Sequence, residues 1–286
     1  MRKACSYIRL FLVMVGMVGA QHRQLEWTTF VKKSLVEKIA QNDLAKEIYS
    51  EVVEKLQIEG IPAKYVSQVF SHLDIQIDDE IEFRWNHPKE QLPYEEYRKI
   101  FITEERISGG KRFYWKHRAL IDNITDYYNV DPLMLVSIVG IESKYGGNEK
   151  QYLVFNALHT VAHRIPRKEK WAVKEMTEFL KYCYFNHISP LTVFGSYAGA
   201  FGYGQFLPSS YNGYAVDFNN DGIIDPQNWS DVLASVANYL LKHGYDSGSR
   251  DFSKNSPNWK SIISYNPSEN YVKVVLELRK ELLKNL

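Results

Sequence analysis

A chain of 286 residues with 45% hydrophobic content can bury one large core or two modest ones and is too apolar to stay disordered. Its formal charge is +1, from 35 Lys and Arg against 34 Asp and Glu, which excludes the broad electrostatic field of a nucleic-acid binder. Aromatic content is 14%, with 20 Tyr and 6 Trp, and rings with polar tips serve both core packing and stacking on sugar faces.

Residues 1–20 read as a secretory signal peptide: Arg2, Lys3 and Arg9 precede an apolar run from Leu10 to Ala20 that ends in small residues. The run is short for a bilayer span and no second one follows, so no transmembrane segment is expected. Cys5 precedes the run rather than following it, which disfavours a lipid anchor. The expectation is export to the periplasm or cell envelope as a soluble monomer, with Cys183 as the remaining cysteine and no intrachain disulfide.

Residues 21–95 are expected to form an N-terminal helical region and arm. Phe30, Leu35, Ile39, Leu44, Ile48, Val52 and Leu56 carry a helical period broken near Asn42, which fits two helices. Gly60 and Pro62 stop that unit, a short helix through Val66 and Phe70 follows, and 74–93, polar with Pro88 and Pro93, reads as a linker or extended arm. A new pattern starts near Tyr97, and 111–128 reads as one long amphipathic helix.

Asp131-Pro132 opens the next helix, Asp as N-cap and Pro where a missing N–H costs nothing. Leu133, Met134, Leu135, Val136, Ile138, Val139 and Ile141 make it apolar nearly all round, and Gly146-Gly147 are expected to cap it. Glu142 interrupts that apolar run on the face of Leu135, Ile138 and Val139. Burial and the negative helix end would both raise its pKa, as a general acid requires. A surface glutamate beside Lys144 is the plainer alternative, and the residues alone leave the two level.

Glycosidic cleavage commonly uses two carboxylates, and no partner stands out. Glu149, Glu169, Glu175 and Glu178 sit among lysines or on the polar side of 168–185, read as a solvated helix. One acid suffices if the nucleophile belongs to the substrate. His159 and His163 form H-x-x-x-H without the glutamate of a zinc protease. No Walker A loop or G-x-S-x-G is present, and Cys183 in KYCYF reads as core.

GIESKYG (140–146), FGSYAGAFGYGQFLPSSY (194–211), YAVDFNNDG (214–222), SVANYL (235–240) and YNPSENY (265–271) together resemble the lytic murein transglycosylase B family, in that family's order from about Tyr97 to Tyr271. The resemblance implies a mainly α (α+β) fold over 96–286, with a lysozyme-like core, an N-terminal helical region and an EF-hand-like calcium loop. It implies cleavage of the MurNAc–GlcNAc bond of peptidoglycan glycan strands without water, giving a 1,6-anhydro sugar, with Glu142 as acid and then base. Substrate-site positions implied by it are Tyr97, Ser196, Gln205, Phe206, Tyr239, Tyr265, Asn266 and Tyr271. The family's Arg-Arg pair stands here as Arg167-Lys168, and a lysine keeps the charge while losing the bidentate fork. A hydrolytic muramidase and a non-catalytic peptidoglycan-binding protein are the rival readings.

In GYGQF the glycines allow close backbone approach, and Gln205 offers a donor and an acceptor to sugar groups. Asp217, Asn219 and Asp221 occupy positions 1, 3 and 5 of a calcium loop, Gly222 the sharp turn and Ile223 the carbonyl position. Asn228 stands where an EF-hand has its closing glutamate, and Asp231 is expected to close a longer loop, 217–231, as in the resembling family. The expected cofactor is structural Ca2+, with none for catalysis.

Overall fold

The computed structural model describes residues 48–70, 76–147 and 152–286. The signal-peptide reading, the first of the two helices expected within 26–58, Cys5 and Glu149 lie outside the described residues.

Helix α1 (Ile48–Ile58) buries Val52, Val53 and Leu56, ends before Gly60 in the left-handed region at φ 82°, and leads to α2 (Ala63–Phe70). The expected arm is instead partly helical, with α3 at Asp79–Asn86 and a 3₁₀ turn at Lys89–Gln91. Asp78 caps α3, its Oδ1 accepting from Glu80 N at 2.9 Å, and Asp79, Glu80 and Glu82 suit the positive helix end. Ile81 is the residue α3 buries, so no apolar period advertised it. The Asp78 amide donates to Thr160 Oγ1 at 3.0 Å, tying α3 to the core.

Helix α4 (Tyr94–Phe101) is followed by α5 (Glu104–Lys116) and α6 (Arg118–Tyr128), which divide the expected helix over 111–128 at His117, where φ is −110° and ψ 18°. The break lets α5 pack on the apolar helix that follows and α6 on a later one.

That apolar helix, α7 (Pro132–Ser143), is central. Its Asp131 cap accepts from Met134 N at 3.0 Å and is also held by Arg279, and Leu133 to Ile141 are all buried. Its end departs from the expected glycine cap. Lys144 and Tyr145 take the left-handed conformation, φ 50° and 60°, before Gly146 at 81°. The Tyr145 amide bonds Val139 O at 3.3 Å and the Lys144 amide Gly140 O at 3.2 Å.

Strand β1 (Tyr152–Leu153) pairs antiparallel with β2 (Phe194–Gly195), in register Tyr152 to Gly195. Between them lie α8 (Val154–Arg164), a 3₁₀ turn at Pro166–Lys168 and α9 (Glu169–Phe185). After β2 come α10 (Pro208–Tyr214), α11 (Trp229–Lys242), α12 (Pro257–Tyr265) and α13 (Glu269–Asn285). Helix α9 packs on α1, α8 and α10; α7 packs on α5, α11 and α13; α6 packs on α11. The architecture is mainly α with one small sheet.

Helix α9 is not the solvated helix its charges suggested. Glu175 is 2% exposed and accepts from Ser209 N at 2.9 Å and Ser209 Oγ at 2.7 Å, satisfying donors in the first turn of α10. Among the described residues no helix is long and apolar enough to cross a membrane.

Candidate active site

Glu142 occupies the last turn of α7, and Tyr271 of α13 donates its phenol to Glu142 Oε1 at 2.6 Å. Ser268 caps α13 and fixes the start of that helix. The Tyr265 ring lies parallel to that of Tyr271, centroids 6.4 Å apart at 4°. Burial first, then the negative charge of Glu142, pushes both phenols well above the ordinary tyrosine range, so both stay protonated donors. Tyr265 donates to Gly204 O, and its ring packs on Phe206 (5.4 Å) and Tyr239 (4.9 Å). Tyr239 donates to Ser264 O at 2.7 Å.

The acid is therefore backed by an aromatic column rather than an open row of rings. Tyr97 is 1% exposed and packs on Phe101, while Phe206, Tyr239 and Tyr271 are also buried. These four, implied above as substrate-site positions, are buried against neighbouring rings and the core and offer no broad ring face to solvent. Tyr265 and Asn266 keep partial exposure, and Asn266 ends α12 in extended backbone.

A cleft of about 770 Å³ runs beside this column. Arg84 and Lys89 line it from the arm, Phe101 and Arg106 from α4 and α5, and Ser196, Tyr203 and Gln205 from the loop before α10. Glu142 itself is not one of its walls; Ile141 and Ser143 on either side of it are. Glu80 is the carboxylate on the wall, and it is committed to Arg84, whose hydrogen bond holds it below the usual carboxylate range.

The glycine loop behaves as a built platform. Gln205 sits at φ 50°, its Nε2 donating to Gly202 O at 2.8 Å. Ser196 Oγ accepts from the Ala198 and Ala200 amides at 3.3 and 3.2 Å. A Cβ on Gly202 would lie 2.5 Å from Pro226 Cβ, and the Tyr203 amide donates to Pro226 O at 2.8 Å. The platform is thus pressed onto the end of the acidic loop.

Arg167 and Lys168 stand apart from the cleft wall. The Lys168 ammonium lies over Trp85 (5.6 Å) and Trp171 (5.5 Å), and Arg167 donates to Trp85 O at 3.4 Å. Trp85 in turn donates to the carbonyl of Tyr197, a cleft residue, at 3.2 Å. The pair supports the cleft from behind through that tryptophan.

In the acidic loop, Asp217 accepts from the amides of Asp221 (3.2 Å) and Gly222 (2.8 Å), with Gly222 at φ 87°. Asp231 is 1% exposed and accepts from the amides of Phe218 (3.0 Å) and Asp225 (2.9 Å). Asn219 donates to Asp221 Oδ2 at 2.7 Å, and Ile223 is exposed. Among the described residues no three His, Cys, Asp or Glu side chains converge as a metal cluster. The carboxylates are turned to the loop's own N–H groups. The donor set is nonetheless all oxygen, and it includes a buried carboxylate with no ion pair among the described residues, which is the chemistry that suits a hard cation.

The His159 and His163 rings lie with centroids 4.3 Å apart, tilted by 48°, and burial, then His163, holds His159 down at about 3. Burial pushes the Cys183 thiol far up, consistent with an inert core cysteine. Sequence reasoning missed Arg106 and Trp85, which have no motif around them, and gave no role to Tyr145 and Tyr203, which stand inside GIESKYG and GYGQF.

Membrane-bound lytic murein transglycosylase B of Escherichia coli (strain K12) is 38% identical over 152 residues, covering 53% of this chain and 42% of that protein, less than half its length. Soluble lytic transglycosylase SltB1 from Pseudomonas aeruginosa shares the fold at TM-score 0.74 and 29% identity, over 82% of this chain and 98% of that one. Escherichia coli lytic transglycosylase Slt35, solved in complex with calcium, shares it at TM-score 0.75 and 24% identity, over 85% and 95%. A transglycosylase SLT domain matches residues 45–256, and with Glu142 in the last turn of the apolar helix and the glycine platform, the chain belongs to the lytic murein transglycosylase B family.

Proposed function

We propose that the chain is a peptidoglycan lytic transglycosylase that cleaves the β-1,4 bond between N-acetylmuramic acid and N-acetylglucosamine without water. Glu142 gives its proton to the glycosidic oxygen as that bond breaks. The same carboxylate then takes the proton of the muramyl C6 hydroxyl as the hydroxyl oxygen bonds to C1, which closes the 1,6-anhydro ring and returns the acid to its starting state. The observation that carries this reading is the Tyr271–Glu142 hydrogen bond. One carboxylate oxygen accepts from a phenol that stays protonated, which supports a carboxyl group held in a fixed orientation for the two proton transfers. The single wall carboxylate, Glu80, is bound to Arg84, in keeping with a mechanism that needs no second acid.

Gln205 and Ser196 are the platform's polar groups toward sugar substituents, with Tyr265 and Asn266 at its edge. Tyr97, Phe206, Tyr239 and the hydroxyl of Tyr271 position that surface from beneath, and Arg167 and Lys168 brace it. Calcium would be held by Asp217, Asn219, Asp221, the Ile223 carbonyl and Asp231, and would supply the positive charge that fixes the loop under Gly202 and Tyr203. Residues 96–286 are read as the catalytic unit, preceded by a helical region and an export signal, acting as a monomer on glycan strands in the periplasm or cell envelope.

The test is mass spectrometry of muropeptides released from purified sacculi. Wild type should release products lighter by one water than hydrolysis would give, and Glu142→Gln should fall by about 10² to 10⁴ or more in rate while keeping its fold. Hydrated products would instead mean a muramidase, and wild-type turnover by Glu142→Gln would remove the acid assignment.

A further inference from the structure

Arg106 is a buried cation without an ion pair among the described residues. It is 7% exposed on α5, and its Nη1 donates to Gly140 O at 2.7 Å and Ile141 O at 3.2 Å, carbonyls of the last turn of α7. Its guanidinium lies 5.1 Å from the Phe101 ring centroid, and its Nε is buried without a hydrogen-bond partner. Burying a charge under those terms is costly, and burial does pull its pKa down, yet an arginine keeps its proton.

The position explains the expense. A helix C-terminus carries partial negative charge from carbonyls left without partners, and it disfavours an anion placed there. Glu142 lies one residue beyond Ile141. In the cycle proposed above, on which this inference rests, its side chain becomes a carboxylate once the glycosidic oxygen has taken the proton. Arg106 satisfies a carbonyl of that turn and sets a full positive charge behind it. The same contact is clamped from the other direction, because the Tyr145 phenol donates to Arg106 O at 3.1 Å.

We propose that Arg106 is the positioning residue for Glu142: through the Gly140 and Ile141 carbonyls it fixes the turn that carries the acid, and its charge stabilises the carboxylate form between the two proton transfers. Groups around Glu142 include two tyrosines held neutral, Tyr271 from α13 and Tyr265 from α12, with Tyr97 from α4 beside Tyr271. Arg106, on α5, is a buried cation that feels the charge of Glu142; Lys144, on the chain leaving α7, is exposed.

The test separates charge from shape. Arg106→Gln can still donate N–H groups but has no charge; Arg106→Lys keeps the charge without the fork. The Glu142 carboxyl is titrated by infrared or ¹³C NMR difference against Glu142→Gln, a readout that does not depend on which bond the enzyme cuts. Losing a nearby cation makes the carboxylate less favourable, so the midpoint in Arg106→Gln should rise by roughly 0.5 to 1 pH unit, with Arg106→Lys near wild type. Turnover of Arg106→Gln should fall about tenfold or more with KM changed less than about threefold, and the limb where activity declines at high pH should move upward with the midpoint. An unmoved midpoint in Arg106→Gln, or equal midpoints and rates in the Gln and Lys variants, would overturn the proposal. Should wild type release no anhydro product while the midpoint still shifts, the reaction assignment fails and the pairing of Arg106 with Glu142 stands.

Discussion

The phenol of Tyr271 lies 2.6 Å from Glu142 Oε1 while its ring is 2% exposed. Hydroxyl and ring therefore do different jobs. Tyr271→Phe should cost turnover about tenfold by releasing the carboxyl, and stability only about 1 to 3 kcal/mol for a buried acceptor left without its donor. Tyr271→Ala should cost about 3 to 5 kcal/mol by opening a cavity. Paired thermal melts and rate measurements check this; a Phe variant with wild-type turnover would show that the hydrogen bond has no part in the chemistry.

The acidic loop gives a second expectation. Bound calcium should stabilise the fold by mass action, about 2.7 kcal/mol at a hundredfold excess over its dissociation constant if the unfolded chain does not bind. Melts with calcium, magnesium and chelator should separate for wild type and converge for Asp221→Asn. Identical wild-type melting temperatures in all three would leave the loop as a hydrogen-bonded turn.

Acid should loosen the fold through His159. Its folded value is about 3, against about 6.5 in an unfolded chain, so between these the unfolded state binds more protons. Stability is complete above about 6.5 and drains away as pH falls through that window. Part of His159 reaches the surface, so the loss by pH 5 should be on the order of 1 kcal/mol. His159→Gln should flatten the dependence of melting temperature on pH between 7 and 5; an equal slope in the variant would place the titrating group elsewhere.

Two glycines on helices should answer oppositely to alanine. A Cβ on Gly140 would stand 2.5 Å from Tyr145 Oη and 2.7 Å from its Cζ, whereas one on Gly213 meets nothing within 4 Å. Gly140→Ala should destabilise by about 1 to 3 kcal/mol or more and slow turnover, and Gly213→Ala should stabilise by about 0.4 to 1 kcal/mol. Chemical denaturation of both variants checks the pair.

Much of the acid's setting was legible in the chain. Asp131-Pro132 announces a helix start through local chemistry, and the run to Ile141 needs burial on all sides, so Glu142 stood out before any coordinates. The motif resemblance singled out Tyr271 but could not tell that its hydroxyl rather than its ring face meets the site. Helix α3 stayed hidden because one residue, Ile81, reaches the core, and one residue has no period. Arg106 stayed hidden because a buried arginine looks like an exposed one in sequence; only the distant Gly140 and Ile141 carbonyls distinguish it. Glu175 misled for the converse reason, since its partner Ser209 lies on another helix.

The Tyr145 ring fills space that exists only because Gly110 and Gly140 lack side chains; a Cβ on either would fall within 2.5 Å of its hydroxyl. Gly110, Gly140 and Tyr145 come from three separate stretches of chain, yet none can enlarge unless another shrinks. A side chain added at either glycine meets the Tyr145 ring, so the end of the helix that carries Glu142 is shaped by a fit among three positions and tolerates a larger residue at one glycine only if the ring gives way.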